Sequence, residues 1–188
     1  MISIICGTNR PDSLTAVYAE KFFEFFNQKS YGNAQLLNLE DLPKDLIHSG
    51  MYLPDKQSTT IVEMQDKFIL GADAFFFIAP EYNGSIPGIL KTFIDAISIR
   101  KYADNFEGKK VGIFGLAAGR AGNLRGIDHL TGIMNHVGCT VMPMGMAYGQ
   151  AQKFVNEDKE IVDEGTLKLM EEYADRFLAF VTSMSKST

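Results

Sequence analysis

The sequence predicts a doubly wound α/β fold, a five-stranded parallel sheet with helices on both faces, and three features carry that expectation. Short apolar runs alternate with longer stretches of helical period. The central run, residues 74–79, is apolar with no polar alternation, as a strand covered on both faces requires. Loops rich in glycine and turn residues follow the first, third and fourth runs. The 188 residues fit a single domain, 1–188, large enough to bury a core on each side of a sheet.

Residues 2–6 form the first predicted strand. A helix follows from about 13 to 28, with Leu14, Val17, Tyr18, Phe22 and Phe25 at helical spacing and a break at Gly32 and Asn33. Residues 34–39 give the second strand. The stretch after it is irregular, because Pro43 and Pro54 oppose regular structure, and it is long for a connection in a compact domain. Within 42–58, residues 51–58 suit either a lid over a pocket or an unstructured insertion. A helix from about 59 to 70 ends at Gly71, where glycine is favoured beyond a helix terminus.

The third strand, 74–79, runs into the loop 80–85, and Pro87 fits the first turn of a helix reaching about residue 99. Ile89, Leu90, Phe93, Ile94 and Ile97 mark its inner face. Residues 110–115 are the fourth strand, 117–123 a glycine-rich loop, and a helix extends to about 136. The strand 139–144 and a closing helix from about 164 to 181 complete the chain. Five strands joined this way suit the flavodoxin-like order 2-1-3-4-5. Right-handed crossovers then gather the first, third and fourth loops at the carboxyl ends of the strands, where the winding reverses and ligands bind.

Composition narrows the function classes. A formal net charge of -5 and the absence of a dense Lys/Arg block argue against nucleic acid or an anionic membrane surface as partner. No apolar run approaches the ~20 residues of a membrane helix, and the N-terminus lacks the basic start and apolar core of a signal peptide, so a cytoplasmic protein is expected. Cys6 and Cys139 fall in predicted strands and read as core residues, with no metal cluster or disulfide framework. His48, His129 and His136 read as helix or loop residues, not catalysts.

The loop after strand one offers hydroxyls from Thr8, Ser13 and Thr15 and a forked cation from Arg10, and Gly7 permits close backbone approach to a ligand, all at a helix N-terminus. That set suits a phosphate. Equally simple roles exist: Ser13 or Asp12 as helix cap, Arg10 as a solvated charge. The loop contains neither G-x-x-x-x-G-K-[ST] nor G-x-G-x-x-G, which disfavours ATPase and Rossmann dinucleotide chemistry. FMN carries one terminal phosphate, and a short loop of this kind is sufficient for it. After strand three, Tyr82 suits packing against a flat ring, and amides around Asn83, Gly84 and Ser85 suit its carbonyl and ring nitrogens. Asn83-Gly84 also suits a tight turn, with Glu81 or Ser85 capping the next helix. After strand four, small residues permit close approach, and Arg120 could meet a flavin oxygen, meet a nicotinamide phosphate, or remain a surface charge.

These loops resemble the NADPH-dependent FMN reductase family, relatives of flavodoxin that include quinone, azo and chromate reductases. GTNRPDSLT is similar to the family's G-S-x-R-x-x-S-x-N loop, and PEYNGSIPGILKTFIDAIS to its P-E-Y-N-x-S-x-P-G-x-L-K-N-x-I-D segment. Asp41-Leu42-Pro43 and GLAAGRAGNLRGIDHL extend the resemblance along the chain. It implies that Thr8, Arg10, Ser13 and Thr15 hold phosphate. Pro80, Glu81, Tyr82, Asn83, Gly84 and Ser85 would line the isoalloxazine, with Ala117, Gly119 and Arg120 closing the other side. Thr8 stands for the usual serine and Thr15 for the usual asparagine; Ala117-Ala118 replaces an often serine-containing stretch, leaving backbone amides as donors there.

The resemblance implies an oxidoreductase that carries hydride from NADPH or NADH through FMN to a small acceptor (a flavin, quinone, azo compound or metal oxyanion) by a ping-pong cycle. No side chain need act as an obligatory acid or base. A homodimer or homotetramer is implied, packed through helix faces such as the region 93–97. The competing expectation is a flavodoxin-like electron carrier that reacts poorly with nicotinamides.

Overall fold

Ile2–Cys6 forms strand β1, and all five residues are buried, including the polar Ser3, whose hydroxyl donates to Phe68 O and accepts from Gln35 Nε2. In the computed structural model, which describes residues 1–31, 33–44 and 46–183, β1 lies between β2 (Ala34–Asn38) and β3 (Ala74–Pro80), with β4 (Lys110–Leu116) beyond β3. Every pairing is parallel. The order β2-β1-β3-β4-β5 is the flavodoxin-like one.

The expected fifth strand is instead two short ones, so the sheet has six strands. β5 (Thr140–Val141) pairs with the start of β4 and β6 (Met146–Tyr148) with its end. Pro143 lacks an N–H for the ladder, and Met144 sits at φ 59°, so the strand breaks there and resumes.

Alternate side chains of the apolar strands supply two different cores. Ile2, Ile4, Ala74, Phe76 and Ile78 face α1 (Leu14–Phe26) and α6 (Glu164–Ser183). Phe22 of α1 places its ring 4.7 Å from Phe76 and 4.9 Å from Phe114, within the 4.5–7 Å range of favourable ring pairs. Ile5, Phe75, Phe77 and Ala79 face α2 (Thr59–Met64), α3 (Gly88–Ile97) and α5 (Leu124–His136) in a mainly aliphatic layer. A short helix α4 (Tyr102–Phe106), not expected from the sequence, buries Asn105 and Phe106.

Several boundaries shift for local reasons. After Phe26 the first helix widens into a π-helical turn, Asn27–Tyr31, and Phe26 rather than Phe25 is fully buried. Gly32, one of the two expected breakers, lies outside the described residues. The helix after residue 59 widens likewise over Gln65–Leu70, and Gly71 caps it at φ -79°, a right-handed geometry that any residue adopts. Pro87 precedes α3 as its N-cap instead of entering the first turn.

Within 42–58, Leu42, Leu46 and Met51 are buried in the α2–α3 core, and Gln57 Nε2 donates to Ala96 O at 2.7 Å. These residues anchor the segment, while Ile47, Tyr52 and Leu53 are exposed.

Candidate functional site

The first loop leaves β1 through Gly7, whose N–H donates to Ile78 O at 2.8 Å. A Cβ on Gly7 would stand 2.9 Å from that carbonyl oxygen, so the close approach that glycine permits here is to β3, not to a ligand. Thr8 is buried, and its hydroxyl meets Tyr82 Oη at 2.7 Å and accepts from Arg10 N at 3.2 Å. Ser13 is the N-cap of α1, its Oγ accepting from Ala16 N at 3.2 Å. The helix still begins with Leu14 and Thr15, whose amides lack intrahelical partners by the geometry of any helix start. Asp12 turns away at φ 55° and pairs with Lys159 Nζ at 2.6 Å, which holds its carboxyl below the ordinary aspartate range. Among the described residues Arg10 forms no ion pair.

The third loop leaves β3 after Pro80. Glu81 N donates to Leu116 O at 2.7 Å, then Tyr82 and Ser85 exchange backbone hydrogen bonds of 3.0 and 3.2 Å. Asn83 (φ 53°) and Gly84 (φ 78°) occupy the corner, a left-handed pair of the type that asparagine and glycine favour. The tight turn expected from Asn83-Gly84 is thus present. Ser85 does not cap α3; its Oγ lies 2.7 Å from His129 Nδ1 on α5.

The fourth loop is held by backbone. Ala117 N donates to Tyr148 O at 3.1 Å, and Gly119 O accepts from Gln150 N at 2.9 Å. Gly122 sits at φ 60°, and a Cβ there would come within 2.4 Å of the Ala147 carbonyl carbon and Tyr148 N. Buried Asn123 caps α5, accepting from Gly126 N at 3.1 Å and donating from Nδ2 to Ala79 O at 2.9 Å. This ties the start of α5 to the end of β3.

One cavity of about 420 Å³ joins the three loops. Of the expected residues, Arg10, Ser13, Thr15, Pro80, Glu81, Tyr82 and Ala117 line it. Thr8 stands directly behind, on the Tyr82 hydroxyl. Asn83, Gly84 and Ser85 follow Tyr82 outside its lining, with Ser85 lining instead the groove between α3 and α5, and Gly119 and Arg120 are exposed outside it as well. Ala151 and Gln152 complete the wall without having been expected. Tyr18 Oη donates to Ala151 O at 3.0 Å and sets that wall from α1, a contact across 133 positions that no local pattern announces.

Chemically the cavity presents donors at one end and flat or small surfaces at the other. The guanidinium of Arg10, the Ser13 hydroxyl and the first amides of α1 suit a phosphate at the positive end of a helix dipole. Pro80, Tyr82, Leu116 and Ala117 suit a planar ring. The volume lies within the ~300–1,000 Å³ common for cofactor sites. FMN, one phosphate joined to one tricyclic ring, fits this donor set.

Sheet order and cavity together define a flavodoxin-like α/β protein with a cavity at its topological switch point. Residues 1–153 match the family described as NADPH-dependent FMN reductase. Over 187 residues the chain is 30% identical to a 2-hydroxy-1,4-benzoquinone reductase of a Burkholderia species, covering 96% of this chain and 95% of that one. It is 26% identical to a quinone reductase of Pseudomonas putida across 96% and 94% of the two chains. The solved structure of FerB, a flavoenzyme NAD(P)H:(acceptor) oxidoreductase from Paracoccus denitrificans, superposes with a TM-score of 0.78 at 26% identity, covering 97% of both chains. The chain belongs to the NADPH-dependent FMN reductase family: it is an oxidoreductase that uses FMN and NAD(P)H.

Among the described residues no helix is long and apolar enough to cross a membrane. Both cysteines are buried free thiols, pushed up by burial to about 11 for Cys6 and about 12 for Cys139, so they stay protonated near neutral pH.

Proposed function

We propose that residues 1–188 act as one FMN-binding domain that oxidises NADPH or NADH and reduces a small acceptor, with quinones the first class to test. The cavity shared by the three loops carries this proposal. Arg10, Ser13 and Thr15, with the amides opening α1, hold the phosphate. Thr8 acts from behind by fixing Tyr82. Pro80, Glu81, Tyr82 and the turn Asn83-Gly84-Ser85 border the ring on one side and Ala117 on the other, while exposed Gly119 and Arg120 border the mouth where a nicotinamide phosphate would enter.

Bound FMN supplies the electron chemistry, accepting hydride from NAD(P)H and returning electrons to the acceptor. The chain's residues position, desolvate and donate hydrogen bonds; none is required as an obligatory acid or base. Reductant and acceptor use the same open face in turn, which makes the cycle ping-pong. The quinone class is supported by the 2-hydroxy-1,4-benzoquinone reductase that the chain resembles along nearly its whole length.

A cytoplasmic homodimer or homotetramer belongs to the same proposal. NAD(P)H is an intracellular reductant. Phe93 and Ile97 of the expected face are buried in the chain's own core, so the seat for a second copy is instead a groove of about 760 Å³ between α3 and α5, where Ile86, Ile133 and Val137 lie among polar residues such as Lys91 and Asp95. Sedimentation should show a dimer or tetramer at micromolar concentration; a monomer overturns this part.

The decisive experiment is an anaerobic titration of the FMN-loaded protein with NADPH and with NADH, followed by 1,4-benzoquinone. Flavin absorbance should bleach with at least one nicotinamide and return on quinone addition. Failure to bleach with either overturns the reductase proposal in favour of an electron carrier. Parallel initial-rate lines are expected, and intersecting lines overturn the ping-pong cycle.

A further inference from the structure

The turn Tyr82–Ser85 is held from both sides by contacts outside its own backbone. Tyr82 at one end is fixed by its hydroxyl to Thr8 Oγ1 at 2.7 Å, on the first loop. Ser85 at the other end is fixed by its Oγ to His129 Nδ1 at 2.7 Å, on α5. Each anchor sits on backbone held by the core of the sheet. Thr8 is buried and follows a β1 exit bonded to Ile78 O, while α5 is tied to β3 through Asn123 and Ala79 O. Between these anchors the corner residues Asn83 and Gly84 keep left-handed backbone angles, and among the described residues their N–H groups make no hydrogen bond within the chain.

We propose that His129 is a positioning residue for the flavin, acting through Ser85 to hold the amides of the Asn83-Gly84 corner where donors to the ring are needed. The inference rests on the FMN-binding role given above for the third loop. Preorganised donors cost no reorganisation when negative charge grows on the ligand, so they favour the reduced over the oxidised form. Loss of the His129 contact frees Ser85 and the corner it closes, and the preference for the reduced form falls. His129 is exposed, so its replacement leaves the fold intact, and because it lines the groove between α3 and α5 together with Ser85, the variants are compared with wild type in the same state of assembly, checked by sedimentation.

The test compares wild type, His129→Ala, Ser85→Ala, the double variant and His129→Asn, whose side-chain amide can again meet the Ser85 hydroxyl. Affinity for oxidised FMN and the FMN midpoint potential are measured for each, with amide hydrogen exchange at residues 82–85. Expected for His129→Ala is oxidised-FMN affinity within about twofold of wild type and reduced-FMN affinity weakened about tenfold. That ratio is a midpoint roughly 30 mV more negative for the two-electron couple. Exchange in the turn should quicken, the double variant should be no worse than either single one, and His129→Asn should recover most of the shift. A wild-type potential and wild-type exchange in His129→Ala overturn the role of His129 alone. A wild-type chain that takes up no FMN overturns the function proposal itself, and the flavin role of His129 with it.

Discussion

The first and fourth loops border one cavity from opposite sides and are built differently. The first presents side-chain chemistry: the Ser13 hydroxyl at a helix start, buried Thr8 and Thr15, and the guanidinium of Arg10, which forms no ion pair among the described residues. The fourth presents almost none to the cavity, where its lining residues are Ala117 and Ala118. Its shape comes from backbone contacts to residues 148–151 and from Gly122 wedged against Ala147 and Tyr148. An exposed side chain of the first kind, such as Arg10, binds by residue type and tolerates exchange at low cost to the fold; a wedged backbone position of the second kind, such as Gly122, shapes a wall and tolerates little. Substitution of Arg10 should change affinity and spare stability, and substitution of Gly122 should do the reverse.

Gly122→Ala breaks the comparison hardest if it is wrong. The new Cβ meets backbone, which has no flexible end to move aside, and the residue stays at φ 60°. A loss of roughly 2–3 kcal/mol is expected, seen as a melting temperature lower by roughly 5–10 °C. A wild-type melting curve would show that the fourth loop adapts freely.

Arg10→Ala should do the opposite. Removing one charged donor to a phosphate weakens FMN binding about tenfold, or ~1.4 kcal/mol, and leaves the melting temperature unchanged. Fluorescence quenching during FMN titration measures the first quantity and thermal unfolding of the apo protein the second. Unchanged affinity removes Arg10 from the phosphate site.

Arg120→Ala tests whether the fourth loop contributes a charge after all. Arg120 is exposed and outside the cavity lining, so FMN affinity should change by less than about twofold. A loss as large as that of Arg10→Ala would mean that the loop folds over the bound cofactor and belongs with the first kind.

The same contrast explains what the sequence makes legible. β3 is readable because burial on both faces forbids polar residues along its whole length, and the first loop because hydroxyls and an arginine at a helix start are chemically conspicuous. The tight turn at Asn83-Gly84 follows from the same local logic, since few residues adopt left-handed angles easily. What escapes is set by distant partners. Ala151 and Gln152 carry no chemical signal and reach the cavity through Tyr18 and the fourth-loop backbone. Ser85 has the composition of a helix cap, yet a histidine 44 positions away claims its hydroxyl. The fifth strand is expected unbroken over 139–144 although Pro143 lies within it, and the resumption at Met146–Tyr148 is decided by pairing with β4. Phe26 outranks Phe25 because the aromatic layer of Phe22, Phe76 and Phe177 surrounds it.

The smallest expected effect concerns the electrostatic edge of the first loop. Lys159 pairs with Asp12 at 2.6 Å, but both side chains are largely exposed, at 55% and 85%, so the pair adds little to the fold. Its more useful consequence is to neutralise a carboxylate beside a phosphate site. Lys159→Ala should shift the melting temperature by less than about two degrees and weaken FMN binding by less than about twofold. The binding effect should vanish near 1 M salt, where the screening length is about 3 Å. The sign of the pH dependence follows from Asp12, whose folded carboxyl lies below the ordinary value of 3.8 because Lys159 holds its charged form. Whatever stability the pair gives is present above 3.8 and lost as pH falls through the lower folded value, so wild type and Lys159→Ala should converge in acid. A difference that persists in acid, or a binding loss that high salt does not screen, would mean that Lys159 shapes the first loop by packing, and the first loop would then share the construction of the fourth.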